Sequence, residues 1–380
     1  MNIILHDLSG HLTFAPLTLT RPVGKLRTGM WTNEERWQFY CPQATISFMT
    51  KDYLSEKYSA NITKDNLWVN AAVIPTNELV KNITDLKKGE SLYINNAFIA
   101  YRGEEYLPVK PKSSAKANII ILENRWDIYQ KNDQILAKDF QAYTAGKKSQ
   151  AISDTNTIIG DAKRIFLEKG AKVECAILNV SDGPIYVGKN AEIMEGSIVR
   201  GGLIMLEESI LKIGSKIYGA TTIGPHCRVG GEVNNSIFQG YSNKGHDGFI
   251  GNSVIGEWCN LGADTNCSNL KNNYGNVKTY NYFLRELEQT NVQFMGVMMG
   301  DYSKTSINTM INTASVIGVC ANIFMSGFPP KYVADFSWGG EPSAPVYELA
   351  SAYESIHAMM QRRHQELTDE DKRILAYLYP

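Results

Sequence analysis

One polar run in the middle of the chain places a histidine where the surrounding sequence is otherwise regular and apolar. Residues 241–247 read Tyr-Ser-Asn-Lys-Gly-His-Asp. Within this run His246 can exchange a proton near neutral pH, because the ordinary pKa of histidine is about 6.5. His246 is therefore a candidate general base. A structural histidine is the alternative, and the run alone does not decide between the two.

Two basic residues near the N-terminus form a second candidate site. Arg21 and Lys25 lie in the segment 14–26, which reads FAPLTLTRPVGKL and follows a short glycine-containing stretch, Asp7–His11. Cationic side chains can pair with a phosphate group, so Arg21 and Lys25 are candidate phosphate-binding residues. A degenerate domain in which both charges are structural is the alternative.

The bulk composition limits the class of protein. The 380 residues include 38 basic and 39 acidic side chains, so no basic excess favours nucleic acid or a membrane surface. The N-terminus lacks the basic and apolar regions of a signal peptide, and no run reaches the roughly 18 apolar residues that span a bilayer. The six cysteines form no CxxC pair. We expect a cytoplasmic protein with reduced core thiols.

The first 125 residues are typical of an α/β domain. Short apolar runs predict buried strands, and two segments between them predict short helices. Arg125–Tyr143 has apolar residues near helical spacing and predicts a helix that ends the domain. The predicted strands are Asn2–Leu5, Thr45–Met49, Leu67–Ile74, Leu92–Tyr101 and Asn118–Leu122, and the short helices are Thr32–Phe39 and Thr76–Leu86.

From about residue 151 apolar residues recur every six positions, often followed by glycine. This period predicts short strands that coil into a triangular prism, with aliphatic side chains stacked inside and glycine where the chain bends. A right-handed β-helix or a sandwich with chance spacing is the alternative. The series are Ile159, Ile165, Ala171, Ile177; Val187, Ile193, Val199; Ile217, Ile223, Val229; Phe249, Ile255, Leu261; and Ile311, Ile317, Ile323.

Two segments depart from this period. Lys271–Phe294 is polar and predicts a loop or hairpin that projects from a corner of the prism. After Ser326 the period stops, and Pro345–Arg363 and Thr368–Leu378 predict two helices, the second with Thr368 as its N-cap. These helices either cap the open end of the solenoid or clamp a trimer and complete a neighbour's site.

The stretch from residue 239 to 269 resembles the acetyltransferase half of the bifunctional bacterial glucosamine-1-phosphate acetyltransferase/N-acetylglucosamine-1-phosphate uridylyltransferase family. The shared pattern is His246, an aromatic-aliphatic-Gly triplet, an aliphatic-Gly pair, Asn260-Leu-Gly-Ala263, and then Asn269. The resemblance covers roughly residues 150–330. It implies a left-handed parallel β-helix, acetyl transfer from acetyl-CoA to glucosamine 1-phosphate, and a homotrimer with sites between neighbouring prisms.

The resemblance also assigns roles to individual residues. It implies that His246 is the general base, that Asn269 and Asn260 bind the acceptor sugar, and that the backbone of Ala263 meets acetyl-CoA. The family's active-site tyrosine is replaced by Phe249, and unlike the family the chain has Phe324-Met325 near the CoA groove. The family's phosphate-binding Lys and Arg do not align. Arg228 and Lys244 are nearby substitutes, or else solvated surface charges.

The segment with Arg21 and Lys25 is similar to the start of sugar nucleotidyltransferases. The similarity implies phosphate binding by the loop, Arg21 and Lys25, and Mg²⁺ if the domain is active. The loop's arginine is absent, and Asn70 stands where the family has a metal-binding aspartate. A short nucleotidyltransferase-like head with a hexapeptide tail looks like an alternative bacterial form of the bifunctional enzyme.

We therefore expect a transferase of cell-envelope amino-sugar nucleotide biosynthesis. It would acetylate glucosamine 1-phosphate and transfer a nucleotidyl group from UTP to a sugar 1-phosphate, with small-molecule substrates and no nucleic acid or membrane partner. One alternative is a uridylyl- or thymidylyltransferase with a purely structural β-helix. Another is a non-catalytic trimeric scaffold that binds sugar nucleotides. The predicted domains are a truncated nucleotidyltransferase-like domain (1–125), a linker helix (126–150), an acetyltransferase-like β-helix (151–330) and a helical segment (331–380).

Overall fold

The computed structural model describes residues 1–108 and 119–380. The described residues form two compact units. The head unit comprises Met1–Leu26, Trp31–Arg125 and Asp369–Tyr377, and the solenoid unit comprises Arg27–Met30, Trp126–Thr368 and Leu378–Pro380. The predicted C-terminal segment 331–380 is thus divided, since most of its second helix belongs to the head unit.

The head unit is built on a five-stranded mixed sheet. Three parallel strands, Thr45–Met49, Asn2–His6 and Asn66–Asn70, are followed in that spatial order by the antiparallel strands Ala97–Gly103 and Ser91–Ile94. Its short strand pair is Val73–Ile74 with Ile120–Ile121. The helices are α1 (Gly10–Thr13), α2 (Asn33–Tyr40), α3 (Asp52–Ser55) and α4 (Asn77–Thr84), with a 3₁₀ turn at Val23–Lys25.

Local sequence explains where the head predictions succeeded and failed. Thr32 caps α2 in a capping box with Glu35, as the predicted helix Thr32–Phe39 requires. The predicted strand Leu92–Tyr101 is instead a hairpin, because Asn95 and Asn96 both adopt positive φ in a two-residue turn. Leu67–Ile74 divides into two strands at Asn70, and the start of the predicted strand Asn118–Leu122 lies outside the described residues.

The solenoid unit is a left-handed parallel β-helix of about ten turns. Its three sheets are called face A, face B and face C. Face A contains Thr157–Ile159, Ile177–Asn179, Ile198–Arg200, Lys216–Tyr218, Glu232–Asn234, Phe249–Gly251, Asn266–Cys267 and Met310–Ile311. Face B contains Ile165–Leu167, Ile185–Val187, Leu203–Met205, Thr221–Ile223, Ile237–Gly240, Val254–Glu257, Met298–Met299, Val316–Ile317 and Tyr332–Val333. Face C contains Lys172–Val173, Glu192–Ile193, Ile210–Leu211, Arg228–Val229, Asn243–Lys244, Asn260–Leu261, Lys304–Thr305, Asn322–Ile323 and Trp338–Gly339.

The core of the solenoid consists of aliphatic columns, as the six-residue period predicts. On face B one inward column runs through successive register partners, Val187, Met205, Ile223, Phe238, Ile255, Met299, Ile317 and Val333. All of these are at most 2% exposed. Glycine follows the column where the chain bends: a Cβ at Gly224 would lie 2.1 Å from the Gln239 carbonyl oxygen. The predicted role of glycine is confirmed there.

The predicted phase was wrong at some positions of face A. Ile159 and Ile177 point outward and are 46% and 38% exposed, whereas Leu178 is fully buried. Phe249 also lies outside, and Ile250 fills the core instead. Successive coils here are not all 18 residues long, and a shift of one residue turns a strand's side chains to the other side of the sheet.

The segments beside the coils also differ from their predictions. The predicted helix Arg125–Tyr143 consists of α5 (Asp127–Gln130) and α6 (Asn132–Thr144), separated at Lys131. The insertion forms a hairpin, Lys278–Asn281 with Glu286–Gln289, as predicted. The coils continue past residue 330, since Tyr332–Val333 and Trp338–Gly339 pair with the preceding coil. The C-terminal helices are α7 (Leu349–Gln361) and α8 (Asp369–Leu378). All six cysteines are free, and Cys175 is the exposed one.

Candidate functional site

His246 lies on the corner of the solenoid between face C and face A. Its side chain is exposed, and the following residues, Asp247 and Gly248, complete the corner. Gly248 has a φ of +112°, and a Cβ there would lie 2.3 Å from the Thr265 carbonyl oxygen. The corner therefore requires glycine at this position, and it presents the imidazole on the outer surface of the coil.

Lys244 holds this corner from inside the solenoid. It is 1% exposed, and its Nζ donates to the carbonyl oxygens of Gly230 at 3.0 Å, His246 at 2.6 Å and Asp247 at 3.1 Å. These bonds use all three ammonium protons. Burial lowers the pKa of Lys244 to about 8. Lys244 is therefore neither a surface charge nor a group open to an incoming phosphate, and its contacts give it a positioning role.

Ala263 occupies the same corner one coil further along the solenoid. The Asp264 amide donates to the Asp247 carbonyl at 3.1 Å, so the residues 246–247 and 263–264 are stacked neighbours. Adjacent strands lie about 4.8 Å apart. The structure thus brings Ala263 next to His246, although the two are 17 residues apart in the sequence.

Asn269 lies at the far edge of face A from this corner. Its Nδ2 donates to Asn252 Oδ1 at 2.6 Å. A Cβ at Gly251 would lie 2.6 Å from both Asn269 Nδ2 and the Phe249 ring, so these two side chains converge over that glycine. Phe249 is held in turn by Asn266, whose Oδ1 accepts from the Phe249 amide at 2.8 Å. Asn269, Phe249 and the His246 corner therefore border the same outer surface.

Asn260 and Arg228 lie elsewhere, on face C. Asn260 pairs in register with Asn243, whose Nδ2 donates to Asn260 Oδ1 at 3.0 Å, and Arg228 pairs with Asn243 from the other side. Arg228 Nη1 donates to the His226 carbonyl at 3.2 Å. Both residues line a cavity on face C rather than the surface of face A. The predicted substrate residues are therefore divided between two faces.

Face A carries polar residues that the sequence patterns did not single out. Lys216, Glu232 and Phe249 are successive register partners on the outer surface, and Lys216 is exposed. Tyr218 donates to Glu232 Oε1 at 2.6 Å. Burial and the neighbouring carboxylate raise the pKa of Tyr218 to about 12. Outward-facing side chains of consecutive coils share one surface. The coil spacing could therefore have identified Lys216 and Glu232 once it was known which residues of each face A strand point outward.

The candidate residues of the head unit lie in or near its buried core. Arg21 is 7% exposed, and Lys25 forms an ion pair with Glu34 and lies 5.3 Å from the centre of the Phe48 ring. Asp7, at the carboxyl end of Asn2–His6, accepts from the Val23 amide at 2.9 Å and from Thr50 Oγ1 at 2.6 Å. Ligands of open α/β sheets usually bind beyond this edge of parallel strands.

The described head residues do not fit a magnesium site. Each oxygen of Asp7 already accepts a hydrogen bond. The Asn70 side chain bonds to the Phe98 carbonyl and to the Ala72 amide. Among the described residues no three His, Cys, Asp or Glu side chains come close enough to bind a metal ion.

Comparison with known proteins supports the assignment of the head. Residues 3–148 match the sugar nucleotidyl transferase family model. The match extends beyond the predicted boundary at residue 125, through α5 and α6. No helix in the described part of the chain has the length and apolar character to cross a membrane.

Curated relatives also match part of this chain. A bifunctional protein GlmU of Synechococcus elongatus is 28% identical over 165 residues, which cover 41% of this chain and 32% of that protein. GlmU of Trichodesmium erythraeum is 24% identical over 154 residues, covering 40% of this chain and 28% of the relative. The chain thus spans about a third of the length of the curated relatives it matches. Together with the head match, these relatives indicate a transferase.

Proposed function

We propose that this protein is a bifunctional amino-sugar transferase. Its solenoid transfers the acetyl group of acetyl-CoA to the amino group of glucosamine 1-phosphate, and its head transfers a nucleotidyl group from UTP to a sugar 1-phosphate. The observation that carries the acetyl transfer is the exposed His246 on a corner that Lys244 fixes from within.

The chemistry assigns His246 one role. A protonated amine cannot attack a thioester, so a base must remove a proton from the amino group. The His246 imidazole takes this proton as the nitrogen forms its bond to the acetyl carbon. The carbon–sulfur bond then breaks, and the departing thiolate of CoA takes up a proton. Since the imidazole projects from a corner with a fixed backbone, little reorganisation is needed before the step.

The outer surface of face A supplies groups for the acceptor. Asn269 offers a carboxamide for sugar hydroxyls, and the exposed Lys216 offers a cation for the 1-phosphate. Lys216 replaces Lys244 in this proposal, because the ammonium of Lys244 is buried and fully bonded. The backbone of the corner at Ala263 is the part of this surface that we propose binds acetyl-CoA.

A homotrimer belongs to the same proposal. In a single chain the His246 corner is open to solvent, whereas acyl transfer benefits from a site that excludes water. A neighbouring prism seated beside face A would enclose the acceptor and the thioester. Sedimentation of the full chain tests this part, and a monomer at assay concentration contradicts it.

The family-model match supports nucleotidyl transfer by the head. In that reaction the sugar phosphate oxygen attacks the α-phosphorus of UTP, and pyrophosphate leaves. Arg21 and Lys25 are the proposed phosphate-binding cations, although Lys25 would have to exchange Glu34 for the nucleotide. Release of pyrophosphate without any acetyl transfer would favour a nucleotidyltransferase with a structural β-helix instead.

The deciding experiment measures release of free CoA from acetyl-CoA in the presence of glucosamine 1-phosphate. We expect H246A to lower this rate about 100-fold or more, in the range typical of a lost general base. H357A, which removes an exposed histidine from α7, is the matched control and should keep the wild-type rate. An H246A rate equal to that of H357A shows that His246 is not the base.

A further inference from the structure

A cavity of about 330 Å³ lies on face C, within the solenoid unit, and is partly enclosed by the C-terminal end of α7. Its volume is at the lower end of the range typical of small-molecule sites. Polar side chains from three consecutive coils and from the end of α7 line it. They include Arg228, Tyr241, Asn243, Asn260, Arg362 and Arg363. The predicted chemistry at the His246 corner uses none of the α7 residues.

Three guanidinium groups in this cavity have no acidic partner at contact distance. Among the described residues none of Arg228, Arg362 and Arg363 forms a salt bridge. Burial lowers the pKa of Arg363, and repulsion from the other two guanidiniums lowers it further. Glu208 influences Arg228 only at longer range. Three converging, incompletely neutralised arginines are electrostatically costly unless an anion joins them.

The remaining walls of the cavity are neutral and fixed. The Tyr241 ring is stacked between His226 at 4.8 Å and Trp258 at 4.2 Å, with interplanar angles of 13° and 12°. Asn243 and Asn260 bond to each other at 3.0 Å and leave further amide donor and acceptor capacity. The cavity thus combines a rigid aromatic wall, two amides and three cations. These groups suit a phosphate ester with polar substituents better than an apolar ligand.

We propose that this cavity is a binding site for a small phosphorylated molecule, whose phosphate group Arg228, Arg362 and Arg363 hold together. Arginine forks pair with phosphate oxygens in a bidentate manner, and Asn243 and Asn260 bind hydroxyl groups next to the phosphate. Arg228 and α7 are about 130 residues apart in the sequence, so the solenoid and its C-terminal helix build the site jointly. The proposal does not depend on acetyl transfer by the His246 corner.

The position of two of these arginines has a second physical explanation that the test must separate. Arg362 is the C-cap of α7, and cations near a helix C-terminus are stabilised by the helix dipole. If that were their purpose, removing them would lower thermal stability without changing phosphate binding. Arg228 lies on a strand, so the dipole of α7 does not explain its presence.

The test is calorimetric titration of the full chain with inorganic phosphate, pyrophosphate and glucose 1-phosphate. We expect R363Q and R228Q each to weaken binding of at least one of these probes about tenfold or more, because each removes a charge-assisted contact. R200Q is the matched control: Arg200 is an exposed solenoid arginine that pairs with Asp182 outside the cavity, and its loss should leave the affinity unchanged. R362Q tests the same contact at an exposed position where folding is not at risk.

A fluorescence measurement places the binding event in the cavity rather than in the head. Trp258 lines the cavity and is 4% exposed, so ligand binding should change its emission, and W258F should abolish that change. The proposal is overturned if all three probes fail to bind at millimolar concentration. It is also overturned if R228Q and R363Q bind as well as wild type, or if R200Q weakens binding to the same extent.

Discussion

Replacement of Lys244 by methionine tests the idea that a buried ammonium positions the proposed general base. K244M keeps the apolar stem but removes the donor that contacts Gly230, His246 and Asp247. The Asp247 carbonyl keeps a second donor, the Asp264 amide. Methionine therefore leaves at most the Gly230 and His246 carbonyls without a donor, at about 1–3 kcal/mol each.

The loss is partly offset, because methionine also removes a buried charge. The pKa of Lys244 falls from its ordinary value of 10.5 to about 8, which corresponds to an unfavourable contribution of about 3 kcal/mol at neutral pH. The two effects oppose each other. We expect a net destabilisation of about 3 kcal/mol or less, which lowers Tm by no more than about 12 °C in a domain of this size.

The local effect should be much larger than the global one. Without Lys244 the corner at residues 245–248 loses its internal anchor, and a displacement of about 1 Å of a catalytic group can cost about 100-fold in rate. We expect K244M to lower acetyl transfer about 100-fold while nucleotidyl transfer stays unchanged. Amide hydrogen exchange at Gly245–Gly248 should rise as well, and this measurement does not depend on any activity.

K304M is the matched control, because Lys304 is a largely buried lysine on face C that does not contact the corner. It should lower stability without accelerating exchange at residues 245–248. The reasoning is refuted if K244M folds, keeps more than half of the wild-type acetyl transfer and shows unchanged exchange at the corner. Equal losses in K244M and K304M would refute it too, since they would indicate a general loss of stability.

Two further predictions concern the head unit. Asp7 is 5% exposed, and burial raises the pKa of its carboxyl group from 3.8 to about 6, so the folded head favours the protonated acid. The contribution of Asp7 to the free energy of unfolding is therefore fully present below about pH 4 and is lost as the pH rises through about 6. The shift in pKa corresponds to a change of about 3 kcal/mol. D7N keeps one acceptor oxygen for the Val23 amide and presents its NH2 group to the Thr50 hydroxyl, which can accept. It should reduce this pH dependence in thermal unfolding scans between pH 4 and 7, and an unchanged difference between pH 4 and 7 would contradict the assignment. Deletion of residues 369–380 should lower the stability of the head by several kcal/mol, because Ile374 and Leu375 are 3% and 1% exposed and Tyr377 stacks on Tyr53 at 4.1 Å. R373Q, which breaks only the exposed contacts with Glu56 and Glu370, should cost less than about 1 kcal/mol, and equal losses in the two variants would contradict the packing argument.

The sequence by itself determined the β-helix and the location of its polar corner. A six-residue period with glycine at the bends is a local signal that repeats coil after coil, so spacing predicts a β-helix, while its left-handed winding was implied by the family resemblance. The separation of Ala263 from His246 is close to one coil, and the hydrogen bond between the Asp264 amide and the Asp247 carbonyl shows that the two corners are stacked. The capping box at Thr32 is equally local and was predictable for that reason.

Only the tertiary structure decided which polar residues face outward and which distant segments meet. Lys244 and Arg228 have the same charge and both lie on strands of face C, yet the Lys244 ammonium is enclosed by three carbonyls whereas the Arg228 side chain borders a cavity. On face A the coils have unequal lengths, so the six-residue period assigned Phe249 to the wrong side of the sheet. Phe249 lies outside, and Ile250 fills the core. The grouping of Arg228 with Arg362 and Arg363, and the assignment of α8 to the head unit, depend on contacts between residues more than 100 positions apart. Such contacts are set by how a helix packs on its neighbours, and no local pattern in the sequence encodes that.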